Sequence, residues 1–205
     1  MNIARELLCI AKGEVLEDDW SRHVYSVDAS HYEIEPAAIV CPVDEDDVQR
    51  LCQYASSNKI PITARGAGTG LLGQSLSYGI VLDFSKHMDS IIDIDDDHVI
   101  VQPGIVKGML DKELKKRNKF LPPDPASSNY CTIGGMIADN SSGIHSLGYG
   151  STISFLEEIK VVYPDGSLGF ASPSKYDNKM KKLGELLWPH VHEIRNGYPG
   201  VSKNS

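Results

Sequence analysis

The chain has little of what several common functions require. Its 205 residues carry 20 Lys and Arg against 28 Asp and Glu, a net charge of −8. A surface of that sign repels phosphate backbones and argues against a nucleic-acid partner. No apolar run reaches the roughly 20 residues that cross a bilayer. The opening stretch MNIARELLCIAKGE interrupts its apolar residues with charge, unlike a secretory signal. The four cysteines (Cys9, Cys41, Cys52, Cys131) are far apart and form no CxxC pair, which excludes a zinc finger or iron–sulfur cluster within these residues and leaves them as small buried hydrophobes. The seven histidines are scattered. His190 and His192 lack a carboxylate partner at helical spacing, so no metal site is expected. A reducing, cytoplasmic location follows as the default.

What is present is enough apolar residue, 41%, to bury a real core. Residues 3–11 read as a short amphipathic helix and 14–35 as an irregular, polar extension anchored by Trp20, Tyr25 and Tyr32. Residues 37–41 (AAIVC) read as a buried strand. The helix after it has acidic residues in its first turn, favourable against the helix dipole, and Val48, Leu51, Cys52 and Ala55 at i, i+3, i+4, i+7. Residues 60–64, 79–84, 90–94 and 98–102 read as short strands, the last two joined by an Asp95–Asp96–Asp97 turn. A helix is expected over 105–118, little periodicity over 122–150, a strand over 155–163 and a final helix over 179–188. The order is mixed, α+β: helices are too few and strand-to-strand links too short for a fully doubly wound sheet.

Two stretches carry the chemistry. In ARGAGTGLLGQS (64–75), Gly68, Gly70 and Gly73 match GxGxxG letter for letter, but a dinucleotide fold needs a helix starting inside the motif. About six residues (QSLSYG) separate Gly73 from the next strand, too few for that helix, and without GK[ST] a Walker-type NTPase is excluded too. What remains is a glycine loop between strands: Gly66, Gly68 and Gly70 let the backbone approach a ligand, successive N–H groups can hold an anion, Arg65 adds charge, and Thr69 and Ser75 add hydroxyls. In the second stretch, Thr132–Ile133–Gly134–Gly135–Met136–Ile137–Ala138 and Asn140–Gly143, bulk is again suppressed beside Asp124, Ser127 and Ser142. Two ligand-lining loops about 65 residues apart suggest a long ligand gripped at several points, which flavin adenine dinucleotide fits.

The segments YSVDASHY (25–32), ARGAGTGLLGQS, VQPG (101–104), PPDPASSNYCTIGGMIADNSSGIHSLGYG (122–150) and EEIKVVYPDG (157–166) resemble the PCMH-type FAD domain of the vanillyl-alcohol oxidase-type flavoproteins. The resemblance is nearest to the branch of FAD-linked oxidases that holds the flavin subunit of glycolate oxidase and D-lactate dehydrogenase, including members with a C-terminal iron–sulfur module. It covers about residues 20–170. It implies two α/β lobes with FAD between them: an extension over 1–35, the FAD domain over 36–170, and over 171–205 the start of a further excursion. It places the pyrophosphate on Arg65, Gly66, Ala67, Gly68, Thr69 and Gly70, with Gln74 and Ser75 beside them. It lines the rest of the cofactor with Pro103, Asp124, Ser127, Thr132, Gly134, Gly135, Ala138, Asn140, Gly143 and the backbone of Ile159. Branches with covalent FAD have a histidine where this chain has Thr69, so non-covalent FAD is expected. Cys131 lies near, though not at, a second attachment position.

The resemblance further implies hydride transfer from a 2-hydroxy acid of the D-lactate or glycolate class, bound by a cap domain that these residues lack, with an iron–sulfur domain, quinone or cytochrome taking the electrons. The chain is therefore expected to be an N-terminal fragment, cytoplasmic or peripheral on the cytoplasmic face of a membrane. No catalytic residue is named: His145 and Tyr149 are read as structural. Oxidation of a sugar lactone or D-2-hydroxyglutarate, and an FAD-binding module without turnover of its own, are the alternatives.

Overall fold

A computed structural model describes residues 3–197, with side chains up to Pro189. The elements run α1 (Ile3–Ile10), β1 (Glu14–Leu16), α2 (Asp19–Tyr25), β2 (Ala38–Cys41), α3 (Glu45–Asn58), β3 (Ile62–Arg65), β4 (Ile80–Asp83), β5 (Ile91–Ile94), β6 (Val99–Val101), α4 (Lys107–Lys115), α5 (Ile133–Asp139), α6 (Ser146–Tyr149), β7 (Ile159–Val162), β8 (Leu168–Ser172), β9 (Lys175–Tyr176) and α7 (Asn178–Gly197). They divide into two compact units. The first holds everything up to Leu156 together with Val162–Leu168; the second holds Glu157–Val161 and the described residues from Gly169 on.

The first unit contains two cores. In one, β2 and β3 flank β4 in parallel and β1 adds an antiparallel edge, giving the order β1-β2-β4-β3. Every residue of β2 and β4 is buried, as expected of near-continuous hydrophobic strands in a parallel arrangement. Helix α3 starts where the Asp44 carboxylate accepts the Asp47 N–H at 2.8 Å, and it ends at Lys59 in the left-handed region. Its Val48, Leu51, Cys52 and Ala55 pack with Ala38, Val40, Ile80 and Leu82. Asp47, fully buried, accepts the Lys12 and Gly13 N–H groups at 2.9 and 3.0 Å and so ties down the chain after α1. The other core gathers Leu110 and Leu114 of α4, Ile133 and Met136 of α5, Ile105 and Cys131 against the β5–β6 hairpin.

In the second unit β7, β8 and β9 lie in that order in one sheet. The structure bears out the mixed α+β class and departs from sequence expectation in its details. The polar 14–35 stretch contains β1 and α2, because pairing with β2 and the Asp18 side-chain cap supply order that periodicity does not show. The 122–150 stretch contains α5 and α6, too short to display a helical period. The expected 155–163 strand begins only at Ile159, since the 3-10 turn over Thr152–Phe155 takes in Phe155 and 156–158 have no regular structure. Helix α4 is shorter than expected because Val106 is engaged in a β-bridge with Thr132. His190 and His192 lie outside the described side chains.

Candidate functional site

The glycine loop begins at the C-terminal end of β3, where Arg65 pairs with Asp83 of β4. No helix follows it before β4, as the short spacing required. Carboxyl ends of parallel strands are where open sheets leave room for ligands. The loop is braced from segment 25–32. Arg65 donates to the Tyr25 and Val27 carbonyls at 3.3 and 2.8 Å, and its guanidinium lies 5.1 Å from the Tyr25 ring centre. The Tyr25 hydroxyl donates a short hydrogen bond to Asp83; burial, then this bond, raises its pKa. The Ala29 N–H donates to the Gly68 carbonyl at 2.9 Å. Ser75 Oγ and the Ser30 N–H donate to Asp28 at 2.9 and 2.8 Å. Burial pushes the Asp28 carboxyl up, but the bonds from Ser30 and Ser75 outweigh it and hold it below its ordinary range.

Held this way, the loop presents bare backbone. The N–H groups of Gly66, Ala67, Gly68, Thr69 and Gly70 find no acceptor among the described residues. Gly68 sits at φ +66°, a conformation a side chain would strain. Gly66 packs so closely on the second loop that a Cβ would fall 2.1 Å from Thr132 Oγ1. The second loop is thereby joined to the first, and Gln74 Nε2 adds a 3.1 Å bond to Asp139 Oδ1.

In the second loop Thr132 caps α5, its hydroxyl accepting the Gly135 N–H at 3.3 Å. Gly134 donates to the Pro103 carbonyl at 2.8 Å. Gly135 and Ala138 are exposed on α5. Asn140, at φ 47°, closes the helix and accepts the Ile153 N–H at 3.0 Å. Gly143 presses on the Asp124 carbonyl, where a Cβ would come within 1.8 Å. The Asp124 carboxylate accepts from Ser128 Oγ, and the Ser127 carbonyl accepts the Tyr130 and Cys131 N–H groups. Burial pushes the Cys131 thiol up. Ile159 belongs to the second unit; the other expected residues all lie in the first. Tyr25, Asp28 and Asp83 were missed as braces of the first loop. The signal for the first two was the matched YSVDASHY segment; nothing local marked Asp83. Among the described residues, no group of three His, Cys, Asp or Glu could hold a metal, and no helix is long and apolar enough to cross a membrane.

Comparison with solved structures places this arrangement in the PCMH-type FAD-binding oxidase fold. An alkyldihydroxyacetonephosphate synthase structure superposes with a TM-score of 0.72 at 25% identity, over 88% of this chain and 39% of that one. The sequence profile described as "FAD binding domain" matches residues 36–169, and the chain belongs to that family. Among curated proteins it is 34% identical over 173 residues to glycolate oxidase subunit GlcD of Bacillus subtilis, covering 82% of this chain and 37% of the relative. It is 39% identical over 160 residues to D-2-hydroxyglutarate dehydrogenase of Pseudomonas putida, covering 76% of this chain and 16% of the relative. The chain thus spans well under half the length of either relative.

Proposed function

We propose that the chain holds FAD without a covalent bond, with the pyrophosphate on the backbone of residues 66–70 and the remainder along the second loop from Asp124 to Gly143. The observation that carries this reading is the run of five N–H groups from Gly66 to Gly70 that find no acceptor among the described residues, at the C-terminal end of a parallel strand. Such a run suits an anionic diphosphate. Arg65, engaged with two carbonyls and a ring, serves as a brace that also contributes charge. Gln74 and Ser75 hold the loop's far side through Asp139 and Asp28. Thr69 supplies no histidine for attachment, and the Cys131 thiol, pushed up by burial, is a poor nucleophile.

Bound FAD supplies a hydride acceptor. The residues of this chain bind and orient it, while the base and the substrate groups belong to a cap domain of a longer protein. The substrate we propose is a 2-hydroxy acid of the D-lactate or glycolate class, with electrons passed to an iron–sulfur domain, quinone or cytochrome. Support comes from relatives named for glycolate and D-2-hydroxyglutarate, both 2-hydroxy acids. The test is to offer FAD to the folded chain, remove the excess, precipitate with acid and assay both fractions. FAD in the supernatant is expected. Absence of flavin from both fractions overturns the cofactor assignment, and flavin in the pellet overturns the non-covalent bond.

A further inference from the structure

The first turn of α4 approaches the second loop from behind. The Lys107 N–H donates to the Cys131 carbonyl at 2.9 Å, and the Gly108 N–H to the Ser128 carbonyl at 2.8 Å. The Lys107 side chain is itself only 4% exposed. Its ammonium pairs closely with Asp111, one turn on, and lies 3.8 Å from Asp124 Oδ1. His145 Nδ1 lies 3.9 Å from the other Asp124 oxygen. The Cys131 thiol completes the set of titratable groups around the ammonium. Asp111 Oδ1 is buried with no hydrogen-bond partner, so one cation serves two carboxylates and one carboxylate oxygen has nothing else.

A buried ammonium is costly to desolvate, and apolar residues of similar volume often replace a buried ion pair without loss of stability. Leu110 and Leu114 already supply the apolar packing of α4. What a lysine adds here is direction: it draws Asp124 toward α4, and the Asp124 carbonyl is the surface on which Gly143 rests. Building on the FAD reading above, we propose that Lys107 is a positioning residue for the cofactor loop, fixing residues 124–131 by charge through Asp124.

The test uses the full chain and three variants: Lys107→Met, Lys107→Arg, and the double variant Lys107→Met with Asp111→Asn. Two measurements are made, FAD affinity from flavin fluorescence and, with no flavin present, amide hydrogen exchange through residues 124–131. Lys107→Met should weaken FAD binding about 10-fold or more, the scale of losing one interaction with a charged group, and should speed exchange in that loop. Lys107→Arg should recover most of both, since it keeps the cation; the double variant removes the charge left unpaired on Asp111 but restores no pull on Asp124, so loop exchange should stay fast and FAD binding weak. If Lys107→Met binds FAD and exchanges as the parent does, the inference is overturned. It is equally overturned if the double variant recovers both, since the unpaired charge on Asp111 and not the pull on Asp124 would then explain the effect. Should Lys107→Met not fold, the arginine and double variants decide between these outcomes. Failure of the parent chain to bind FAD would defeat the cofactor reading instead, while the flavin-free exchange measurement would still judge the role of Lys107 in the loop.

Discussion

The two loops proposed to hold the cofactor reach similar bareness by different routes. Residues 66–70 have almost no local reason for their shape. It is imposed from afar: the Tyr25 and Val27 carbonyls hold the Arg65 guanidinium, the Ala29 N–H holds the Gly68 carbonyl, and Asp28 holds Ser75. The second loop is shaped more by its own residues: Thr132 caps α5, and Asn140 closes it in the left-handed region. One loop therefore depends on a segment roughly 40 residues away in sequence, the other on capping chemistry within one helix. Damage to a distant brace should disable the first loop, whereas damage to a cap should soften the second by a local amount.

The largest expected effect strikes the first loop at its own backbone. Gly68→Val puts a β-branched residue at φ +66°, which only a displaced loop relieves. FAD retention should be lost while the far-ultraviolet circular dichroism of the folded chain is kept. Unchanged flavin content after gel filtration would make the first loop a mere turn. Next comes the brace. Tyr25→Phe removes the hydroxyl bonded to Asp83 while keeping the ring under Arg65. Losing a hydrogen bond to a charged group costs about 1.5–3 kcal/mol. Urea unfolding should show a loss of that order together with weaker FAD binding. A stability loss with FAD affinity unchanged would separate the 25–32 segment from the cradle.

The same contrast explains what could be read from the residues alone. Strands β2 and β4, helix α3 and the β5–β6 hairpin were legible because hydrophobic period and turn chemistry are local. The glycine loop was legible by elimination, since the spacing to the next strand forbids a helix. Long-range partners were not legible. Nothing around Tyr25 announces Asp83, 58 positions on, and nothing around Lys107 announces Asp124. Helix α5, with its Gly134–Gly135 pair, opposes helix propensity and forms because Thr132 caps it and Ile133 and Met136 are buried. Strand β1 exists only through its pairing with β2.

The smallest expected effect tests the locally made loop. Thr132→Ala removes the hydroxyl that accepts the Gly135 N–H and fills the space beside Gly66. Loss of an N-cap costs about 1 kcal/mol, and chemical unfolding should show a decrease of that size, with FAD affinity reduced less than by Gly68→Val. Thr132→Ser keeps the cap oxygen and should recover most of the stability. If alanine abolishes FAD binding outright, Thr132 acts on the cofactor or on the first loop directly, because a cap alone has too little free energy to do so. The contrast between a remotely braced loop and a locally capped one would then give way to a single unit hinged at the Gly66–Thr132 contact.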